Sequence, residues 1–397
     1  MDRRSFSKLL ASLALSKKTN IGAAVLKEKI TIIGGGIIGL SIGYQLSKAG
    51  IEITLIEKDF LGAHASGSSF SWINASYDKK PLSYNYLARL GITSYHQLQE
   101  ELNLDIKWGG SLEWFKTKKS SDQLRDQVRL LQNYQDALAI QIINHDQASK
   151  LESFVNFKNS QTIAYSIHEG AMNTLSTIKK LSEGIKNNGG KVIYPVEFKK
   201  LEYRGNNLES IKTSDGEIKT NQVIFACGVN TDNILSSKMM SPSTPGIILT
   251  TKPQRPLINR IIVAPGIHIH QQNDGRIIIG EQGGAGMLHE ERLIKKPRYF
   301  PNHDYETKHQ NRILKTVKEI IPKLNDIEVE RIAIGWRPLP KDGKPIIGPI
   351  KELPGVYIAV MHSGISLAAI IGTLVKEEIL EARTNKLLED FRPSRFT

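Results

Sequence analysis

The stretch KITIIGGGIIGLSIGYQLSKAGIEITLIE, residues 29–57, decides the fold. Its first five residues, Lys29–Ile33, are mostly apolar and β-branched, which is typical of a buried parallel strand. An apolar run with helical period follows up to Gly50, and a second strand-like run ends at Glu57. A strand, a helix and a strand within about 30 residues predict one βαβ unit of a parallel sheet.

Three glycines directly after the first strand have the spacing G-x-G-x-x-G: Gly34, Gly36 and Gly39. The first permits a tight turn, the second lets a pyrophosphate approach the backbone, and the third lets the helix pack closely. The helix N-terminus offers free N–H groups and a positive dipole end to phosphates. Glu57 suits a hydrogen bond with a ribose 2′-OH. An ordinary βαβ turn without a ligand is the alternative, but the whole context favours a bound dinucleotide.

The composition is that of a soluble globular protein, with 397 residues of which 40% are hydrophobic and 23% charged. This length fits two domains, or one large core with an inserted second lobe. The net charge of +13 is scattered and forms no aromatic-interleaved stripe, so we interpret it as surface charge and predict no nucleic-acid partner. The single cysteine, Cys227, excludes an internal disulfide and a cysteine-ligated zinc or iron–sulfur site, and its apolar surroundings predict a small packed residue.

Residues 1–28 are predicted to form a leader. The pattern Arg3-Arg4-x-Phe6-x-Lys8 resembles a twin-arginine export signal, which carries proteins that have already folded around a cofactor. This interpretation predicts a periplasmic protein, and the alternative is a basic leader on a cytoplasmic protein. No apolar run approaches the ~18–20 residues that a transmembrane helix needs, so we predict no transmembrane segment.

The rest of the chain shows regular periodicity and turn signals. Helices are predicted at 81–104, 120–138, 174–188, 304–321 and 365–381, a hairpin-like segment at 106–116, and hairpins at 198–220 and 268–280. A second apolar strand ending in glycine, residues 222–228, is predicted to share a sheet with the first. His268 and His270 share one strand face, but no carboxylate motif accompanies them, so we interpret them as core or pocket residues and predict no metal site.

Three blocks carry a family resemblance beside the glycine turn. They are Ala63-His-Ala-Ser-Gly67, Val223-Ile-Phe-Ala-Cys-Gly228, and Gly335-Trp-Arg-Pro-x-Pro-x-Asp-Gly-x-Pro-x-Ile-Gly348 together with His362-Ser-Gly364. With them, roughly residues 29–385 resemble the FAD-dependent oxidoreductase superfamily of D-amino-acid oxidase, glycine oxidase and sarcosine oxidase. The last block is the most specific, because an NAD dehydrogenase has no reason to carry it.

The resemblance implies an α/β fold, in which a Rossmann-like FAD-binding domain of the glutathione-reductase type carries an α+β substrate domain built on an antiparallel sheet. The FAD-binding domain would comprise residues 29–84, 161–240 and 331–397, and the substrate domain residues 85–160 and 241–330. Some related dehydrogenases tether the flavin through a histidine in a Trp-His-Ala-Ala-Gly sequence. Because Ala63 stands here in place of that tryptophan, the resemblance implies non-covalent FAD beside His64.

The chemistry that the resemblance implies is oxidation of a C–N bond in an amino acid or secondary amine, with hydride passing to flavin N5. Either O₂ or a quinone-linked acceptor would reoxidise the flavin. An Arg is the natural clamp for a substrate carboxylate because its fork pairs the two oxygens. Arg337, Arg276 and Arg255 are candidates, and His362 is predicted to lie near the flavin. The residues proposed for catalysis are therefore Arg337, His362 and Arg276.

The predicted cofactor contacts fall in the blocks named above and just beside them. They are Gly34, Gly36, Ile37, Ile38, Gly39, Glu57, Lys58, His64, Ala65, Ser66, Gly67, Val196, Cys227, Gly228, Gly335, Arg337, His362, Ser363, Gly364 and Ile365.

Two departures from the family pattern limit the substrate prediction. The block that begins at Glu169 lacks the proline that usually follows its glycine–alanine pair. The His362-Ser-Gly turn lacks the arginine of glycine-oxidase-like members, so glycine is not assumed to be the substrate. The alternatives are a tRNA-modifying oxidoreductase of the same superfamily and a flavin-binding protein without turnover.

Overall fold

The fold comes from a computed structural model that describes residues 29–134, 136–158, 160, 162–243, 245–281 and 297–396. The leader predicted at residues 1–28 lies outside these described ranges. Within them, no helix combines the length and the apolar composition that crossing a membrane requires.

The described residues contain 20 strands and eight α-helices. The strands are β1 (Lys29–Ile33), β2 (Glu52–Ile56), β3 (Trp72–Ile73), β4 (Ile106–Trp108), β5 (Ser111–Glu113), β6 (Ile140–Ile143), β7 (Ile163–Ser166), β8 (Gly170–Met172), β9 (Lys191–Ile193), β10 (Phe198–Arg204), β11 (Asn207–Thr213), β12 (Gly216–Lys219), β13 (Gln222–Phe225), β14 (Pro245–Thr251), β15 (Ile261–Ala264), β16 (Ile267–Gln271), β17 (Ile277–Glu281), β18 (Val329–Trp336), β19 (Ile346–Pro349) and β20 (Val356–Val360). The α-helices are α1 (Ile37–Lys48), α2 (Leu82–Leu102), α3 (Lys118–Gln132), α4 (His145–Leu151), α5 (Thr174–Asn187), α6 (Thr231–Leu235), α7 (His303–Ile320) and α8 (Gly364–Glu381).

The first sheet has six strands in the order β19-β20-β13-β1-β2-β9. β1 pairs in parallel with β2 on one side and with β13 on the other, and β19 at the edge runs antiparallel. The central strands are buried on both faces, which explains their continuous apolar sequence. The prediction that residues 222–228 share a sheet with residues 29–33 is confirmed.

Helices α1, α2, α5 and α8 pack against this sheet and form the largest apolar core. α1 and α8 approach closely because Gly372 lacks a side chain: a Cβ there would lie 2.6 Å from the hydroxyl oxygen of Ser41. The same hydroxyl donates a hydrogen bond of 2.7 Å to the carbonyl oxygen of Ala368. These contacts pack α1 directly against α8.

The second large sheet has eight strands in the order β18-β14-β17-β16-β15-β5-β7-β6. Its pairs are antiparallel except for β5 with β15, which is parallel. The predicted hairpin at 268–280 is confirmed as β16 and β17, with the turn at Gly275 in the left-handed region at φ +87°. Helix α7 packs on this sheet over a separate apolar core. The overall class, a Rossmann-like α/β unit with a mainly antiparallel second sheet, is confirmed.

Two smaller sheets complete the fold. β10, β11 and β12 form the antiparallel sheet that the turn signals at 198–220 predict. β3, β8 and β4 form a short sheet whose pairs are antiparallel.

Some predicted groupings differ from the structure. Residues 106–116 are not a hairpin, because β4 pairs with β8 while β5 pairs with β7 and β15 in the eight-stranded sheet. β7 and β18, assigned from sequence to the FAD-binding segments 161–240 and 331–397, also lie in the eight-stranded sheet. α2, assigned to the substrate segment 85–160, packs in the core of the six-stranded sheet. These contacts join residues far apart in sequence, which periodicity does not reveal.

Candidate cofactor and substrate site

A cavity of about 610 Å³ lies where β1, β2, β13 and β20 end. The carboxyl ends of parallel strands meet at one edge of such a sheet, and this edge is where α/β folds bind ligands. The cavity is lined by most of the residues predicted to contact the cofactor, namely Gly34, Gly36, Ile37, Ile38, Glu57, Lys58, His64, Ala65, Ser66, Val196, Cys227, Gly228, Gly335, Arg337, His362, Ser363, Gly364 and Ile365.

The glycine turn forms one end of the cavity. Gly34 has φ +118°, and a Cβ there would lie 2.4 Å from the carbonyl oxygen of Ala226, so only glycine fits. Gly36 is the N-cap of α1 and makes no side-chain cap, which leaves the helix N-terminus open to a ligand. The amide of Ile37 donates to the hydroxyl of Ser66 at 3.1 Å. A bare backbone, an open helix N-terminus and a hydroxyl fit a diphosphate.

Glu57 follows β2 and is buried beside this turn. Its two carboxylate oxygens accept hydrogen bonds from the amides of Gly35 (2.8 Å) and Asp59 (3.0 Å). Asp59 in turn lies 2.7 Å from Nε2 of His64. Possible ligand atoms of Glu57, Asp59 and His64 lie within 4.8 Å of one another, and these contacts inside the protein account for the cluster without a metal ion.

Two predicted contact residues, Gly39 and Gly67, do not line the cavity. A Cβ on Gly39 would lie 2.1 Å from the carbonyl oxygen of Gly34, and one on Gly67 would lie 2.4 Å from that of Gly62. Both glycines therefore allow the backbone segments that line the cavity to pack closely, without lining it themselves. For Gly39 this is the close helix packing that its spacing predicts.

Cys227 lies two residues after the end of β13 and lines the cavity near the glycine turn. Its thiol donates a 3.3 Å hydrogen bond to the carbonyl oxygen of Ile33, and burial raises its pKa well above the ordinary value. A thiol held in its neutral form does not act as a nucleophile. The prediction of a small packed residue agrees with this geometry.

The far end of the cavity is formed by the N-terminus of α8 and by Arg337. Ser363 is the N-cap of α8 and makes no side-chain cap to the helix, while its hydroxyl lies 2.8 Å from the hydroxyl of Tyr84. Arg337 follows β18 and is partly buried, and burial lowers its pKa. Among the described residues, its guanidinium makes no hydrogen bond or ion pair with another side chain. An unpaired guanidinium in a cavity fits an anionic ligand.

His362 lies between β20 and α8, and much of its ring faces the open cavity. Burial first, and then the positive charges of Arg337 and Lys79, lower the pKa of His362 to about 4. The ring is therefore neutral near pH 7 and can act as a hydrogen-bonding group rather than as a cation.

An aromatic wall that the sequence did not predict closes the same end. Phe70 and Trp72 line the cavity beside His268, with ring centroids 5.2 and 6.0 Å from the centroid of that imidazole. Burial lowers the pKa of His268 to about 4. His270 is buried and its Nε2 lies 2.9 Å from the carbonyl oxygen of Phe70, so the pair are a pocket and a core histidine as predicted. The sequence signal for this wall was the presence of two aromatic residues, Phe70 and Trp72, next to a run of small residues.

Glu169, like Phe70 and Trp72, was not assigned to the site from the sequence. Its buried carboxylate accepts from Trp72 Nε1 (2.9 Å), from the amides of Ala75 (2.8 Å) and Ser76 (2.9 Å), and from the hydroxyl of Ser111 (2.6 Å). Burial raises the pKa of Glu169. Through its hydrogen bond to the indole nitrogen, it fixes the orientation of Trp72.

Two of the predicted arginine clamps lie elsewhere. The guanidinium of Arg276 pairs with Glu330 (2.7 Å) and Asp274 (3.0 Å) at the β16–β17 turn, outside the cavity. Arg255 is exposed and does not line the cavity either. We correct the prediction accordingly: a guanidinium already shared by two carboxylates away from the cavity has no place in substrate binding, and Arg337 remains the candidate.

Together, the six-stranded sheet, the glycine turn and the cavity running to α8 define a protein of the dinucleotide-binding class. The chain belongs to the FAD dependent oxidoreductase family known as DAO, whose sequence profile matches residues 29–378. The cofactor of this family is FAD, and the bare turn and open helix N-termini of this cavity fit it.

Individual relatives are distant. Human mitochondrial dimethylglycine dehydrogenase is 21% identical over 93% of this chain, and the chain spans 44% of its length. Glycine oxidase of Bacillus subtilis (strain 168) is 22% identical, over 89% of this chain and 94% of that protein. The crystal structure of L-proline dehydrogenase from P. horikoshii superposes with a TM-score of 0.79 at 23% identity, covering 93% of this chain and 98% of that one. At this identity the superposition establishes the fold alone.

Proposed function

We propose that this protein binds FAD without a covalent link and oxidises the C–N bond of an amino acid or carboxylate-bearing secondary amine. The observation that carries the proposal is the guanidinium of Arg337, which lines the cavity and has no side-chain partner among the described residues. The names of the relatives, which are amino-acid and amine oxidases and dehydrogenases, support the same substrate class.

Different lining residues of the cavity would bind the adenosine diphosphate half and the flavin half of the cofactor. The amides at the start of α1 and the hydroxyl of Ser66 would hold the diphosphate, and Glu57 would hold the ribose of the adenosine half. The residues from His362 to Ile365 would flank the ring of the flavin. When bound, the flavin supplies the acceptor for the hydride that leaves the substrate carbon, and O₂ or a quinone-linked acceptor would take up the electrons.

The protein's own contribution is to hold the substrate. Arg337 would pair bidentately with the carboxylate, and Phe70 and Trp72 would exclude water from the reacting carbon. No acidic side chain competes for this guanidinium among the described residues that line the cavity. Glu57 and Glu197 lie at the glycine-turn end, and Glu281 pairs with Arg312 at 2.7 Å. The neutral ring of His362 would contribute a hydrogen bond and shape.

The experiment is anaerobic reduction of the purified protein. D-amino acids, L-proline, sarcosine and glycine are mixed with it in turn, and the loss of the yellow colour of the oxidised flavin is followed. We expect at least one of them to bleach the flavin. Bleaching by none would contradict the enzymatic proposal and favour a flavin-binding protein without turnover.

Arg337→Ala tests the clamp, with Arg276→Ala as the matched control. We expect Arg337→Ala to raise the KM for the bleaching substrate on the order of 100-fold or more, because a charge-assisted pair at a desolvated site contributes about 2–5 kcal/mol, while FAD stays bound. Arg276→Ala removes the same charge outside the cavity and should leave the kinetics unchanged. Equal kinetics in both variants would remove Arg337 from the proposal.

A further inference from the structure

Lys79 holds a positive charge behind the wall of the cavity. Its side chain is partly exposed as a whole, but its ammonium nitrogen is sealed from solvent and has no hydrogen-bond partner among the described residues. The nitrogen lies over the ring of Tyr84, 5.3 Å from its centre. A buried ammonium without a partner is costly, so its position calls for a functional explanation.

The contacts of Lys79 lead to the far end of the cavity. The hydroxyl of Tyr84 lies 2.8 Å from that of Ser363, which is the N-cap residue of α8 and lines the cavity. Lys79 is also close enough to His362 for its charge to act on that ring. Glu169 is the carboxylate whose charge acts on Lys79, but its oxygens already accept bonds from four donors. The ammonium therefore adds to the positive N-terminus of α8 and to Arg337.

We propose that Lys79 is a positioning residue that stabilises negative charge on the flavin, acting through space from one layer behind His362 and Ser363. This inference rests on the proposed function, because it takes the flavin ring to lie beside the N-terminus of α8. A positive charge near the N1–C2=O edge favours the reduced, anionic ring and any anion that adds to N5. Lys79 is thus assigned to the electronics of the cofactor rather than to contact with substrate.

Sulfite is the probe. It adds through the sulfur lone pair to N5 of the oxidised flavin, the electron pair of the ring moves onto the N1–C2=O edge, and the absorbance of the oxidised flavin is lost. Its dissociation constant therefore reports the stabilisation of negative charge on the ring without any turnover of substrate. The measurement is a sulfite titration of the holoprotein, with FAD content determined for each variant.

We expect Lys79→Met, which keeps the length of the side chain without its charge, to weaken sulfite binding about tenfold or more. Lys79→Arg keeps the charge and should bind sulfite nearly as the wild type does. Lys80→Met is the matched control, because Lys80 is the exposed neighbour and pairs with Asp78 at 3.1 Å. It should leave sulfite binding unchanged.

The pH dependence separates an electrostatic role from a structural one. Burial lowers the pKa of Lys79 to about 8, while the charge of Glu169 acts in the opposite direction. Relative to Lys79→Arg, which does not titrate in this range, the wild type should lose sulfite affinity as the pH rises through about 8. This comparison needs neither substrate nor the methionine variant, so it decides the question if Lys79→Met fails to fold.

Equal sulfite affinity in FAD-loaded wild type and Lys79→Met would overturn the proposal, as would the same pH profile in wild type and Lys79→Arg. A wild-type protein that takes up no FAD would overturn the proposed function as well, so the two failures are distinguishable. A structural role predicts a lower Tm for Lys79→Met. The proposal predicts a Tm at pH 7 at least as high as that of the wild type, because the variant removes a desolvated charge.

Discussion

Individual charged residues near the cavity differ in whether the protein already neutralises them. Arg276 shares its guanidinium with two carboxylates at an exposed turn, whereas the guanidinium of Arg337 has no such partner among the described residues. Sequence alone does not distinguish them, because each is an arginine beside a strand. Only the tertiary structure shows that Arg276 has carboxylate partners and that Arg337 has none among the described residues. This identifies Arg337 as the arginine that can bind a ligand.

Glu113 provides a residue-scale prediction about stability. It is buried, accepts a 3.2 Å hydrogen bond from the hydroxyl of Tyr77, and has its pKa raised to about 7 by burial and by the charge of Glu169. Because the pKa is higher in the folded state than in the unfolded state, the unfolded chain releases its proton first as the pH rises. The stability that the protonated carboxyl contributes is therefore complete below about pH 4.5 and lost as the pH rises through about 7.

Glu113→Gln should remove this dependence. We expect the free energy of unfolding of the wild type to fall relative to that of the variant between pH 5 and about 7, by at most about 1.4 kcal/mol per pH unit. Glu330→Gln is the control with the opposite sign, because Arg276 holds the pKa of the Glu330 carboxyl below its usual range. Denaturant unfolding at a series of pH values measures both, and a constant difference between wild type and Glu113→Gln would contradict the prediction.

At the scale of elements, the sequence predicts what local geometry determines. The β1 turn, α1 and the acid after β2 are local, and the glycines there have backbone requirements that sequence reveals directly. The parallel pairing of β5 with β15 joins segments about 150 residues apart, so the periodicity of 106–116 indicated a hairpin instead. Phe70, Trp72 and Glu169 were missed for the same reason: their roles depend on packing between distant elements.

The turn between β1 and α1 carries the element-scale prediction. Gly34 and Gly50 both have positive φ, but a Cβ would meet the backbone of Ala226 only at Gly34, and no atom within 4 Å at Gly50. We expect Gly50→Ala to cost about 1–2 kcal/mol of stability, from backbone strain alone. Gly34→Ala should cost more than about 3 kcal/mol and abolish FAD binding, since overpacking adds to the strain. Thermal unfolding and FAD content are measured for both variants. Equal losses of stability in Gly34→Ala and Gly50→Ala would contradict the predicted clash with Ala226.

The whole molecule combines a net charge of +13 with a fold that encloses a large cofactor cavity. Its family, its fold class and FAD as the family's cofactor agree with the expectations from sequence. Strands of the two large sheets alternate along the chain, as the discontinuous segments predicted from sequence do, and β7 and β18 are the strands that fall outside the predicted boundaries. The leader at residues 1–28 lies outside the described residues, and its role remains a prediction.

We propose that this leader directs export to the periplasm through the twin-arginine pattern at Arg3 and Arg4, a cytoplasmic protein with a basic leader being the alternative. The double variant Arg3→Lys, Arg4→Lys keeps the charge but removes the arginine pair. We expect it to stay in the cytoplasm when the cells are fractionated, while Lys17→Arg, Lys18→Arg leaves the distribution as in the wild type. An unchanged distribution in the Arg3/Arg4 variant would contradict export by this route.

In the proposed complex, an FAD lies in the cavity, with its diphosphate at the β1 turn and its ring beside the N-terminus of α8. The most direct measurement is the flavin content of the purified protein before and after acid denaturation. We expect a yellow protein that releases about one FAD per chain into the supernatant, because the fold has a single dinucleotide site of this kind among its described residues. A colourless protein that takes up no flavin on reconstitution would contradict the claim, and a yellow pellet would contradict non-covalent binding beside His64.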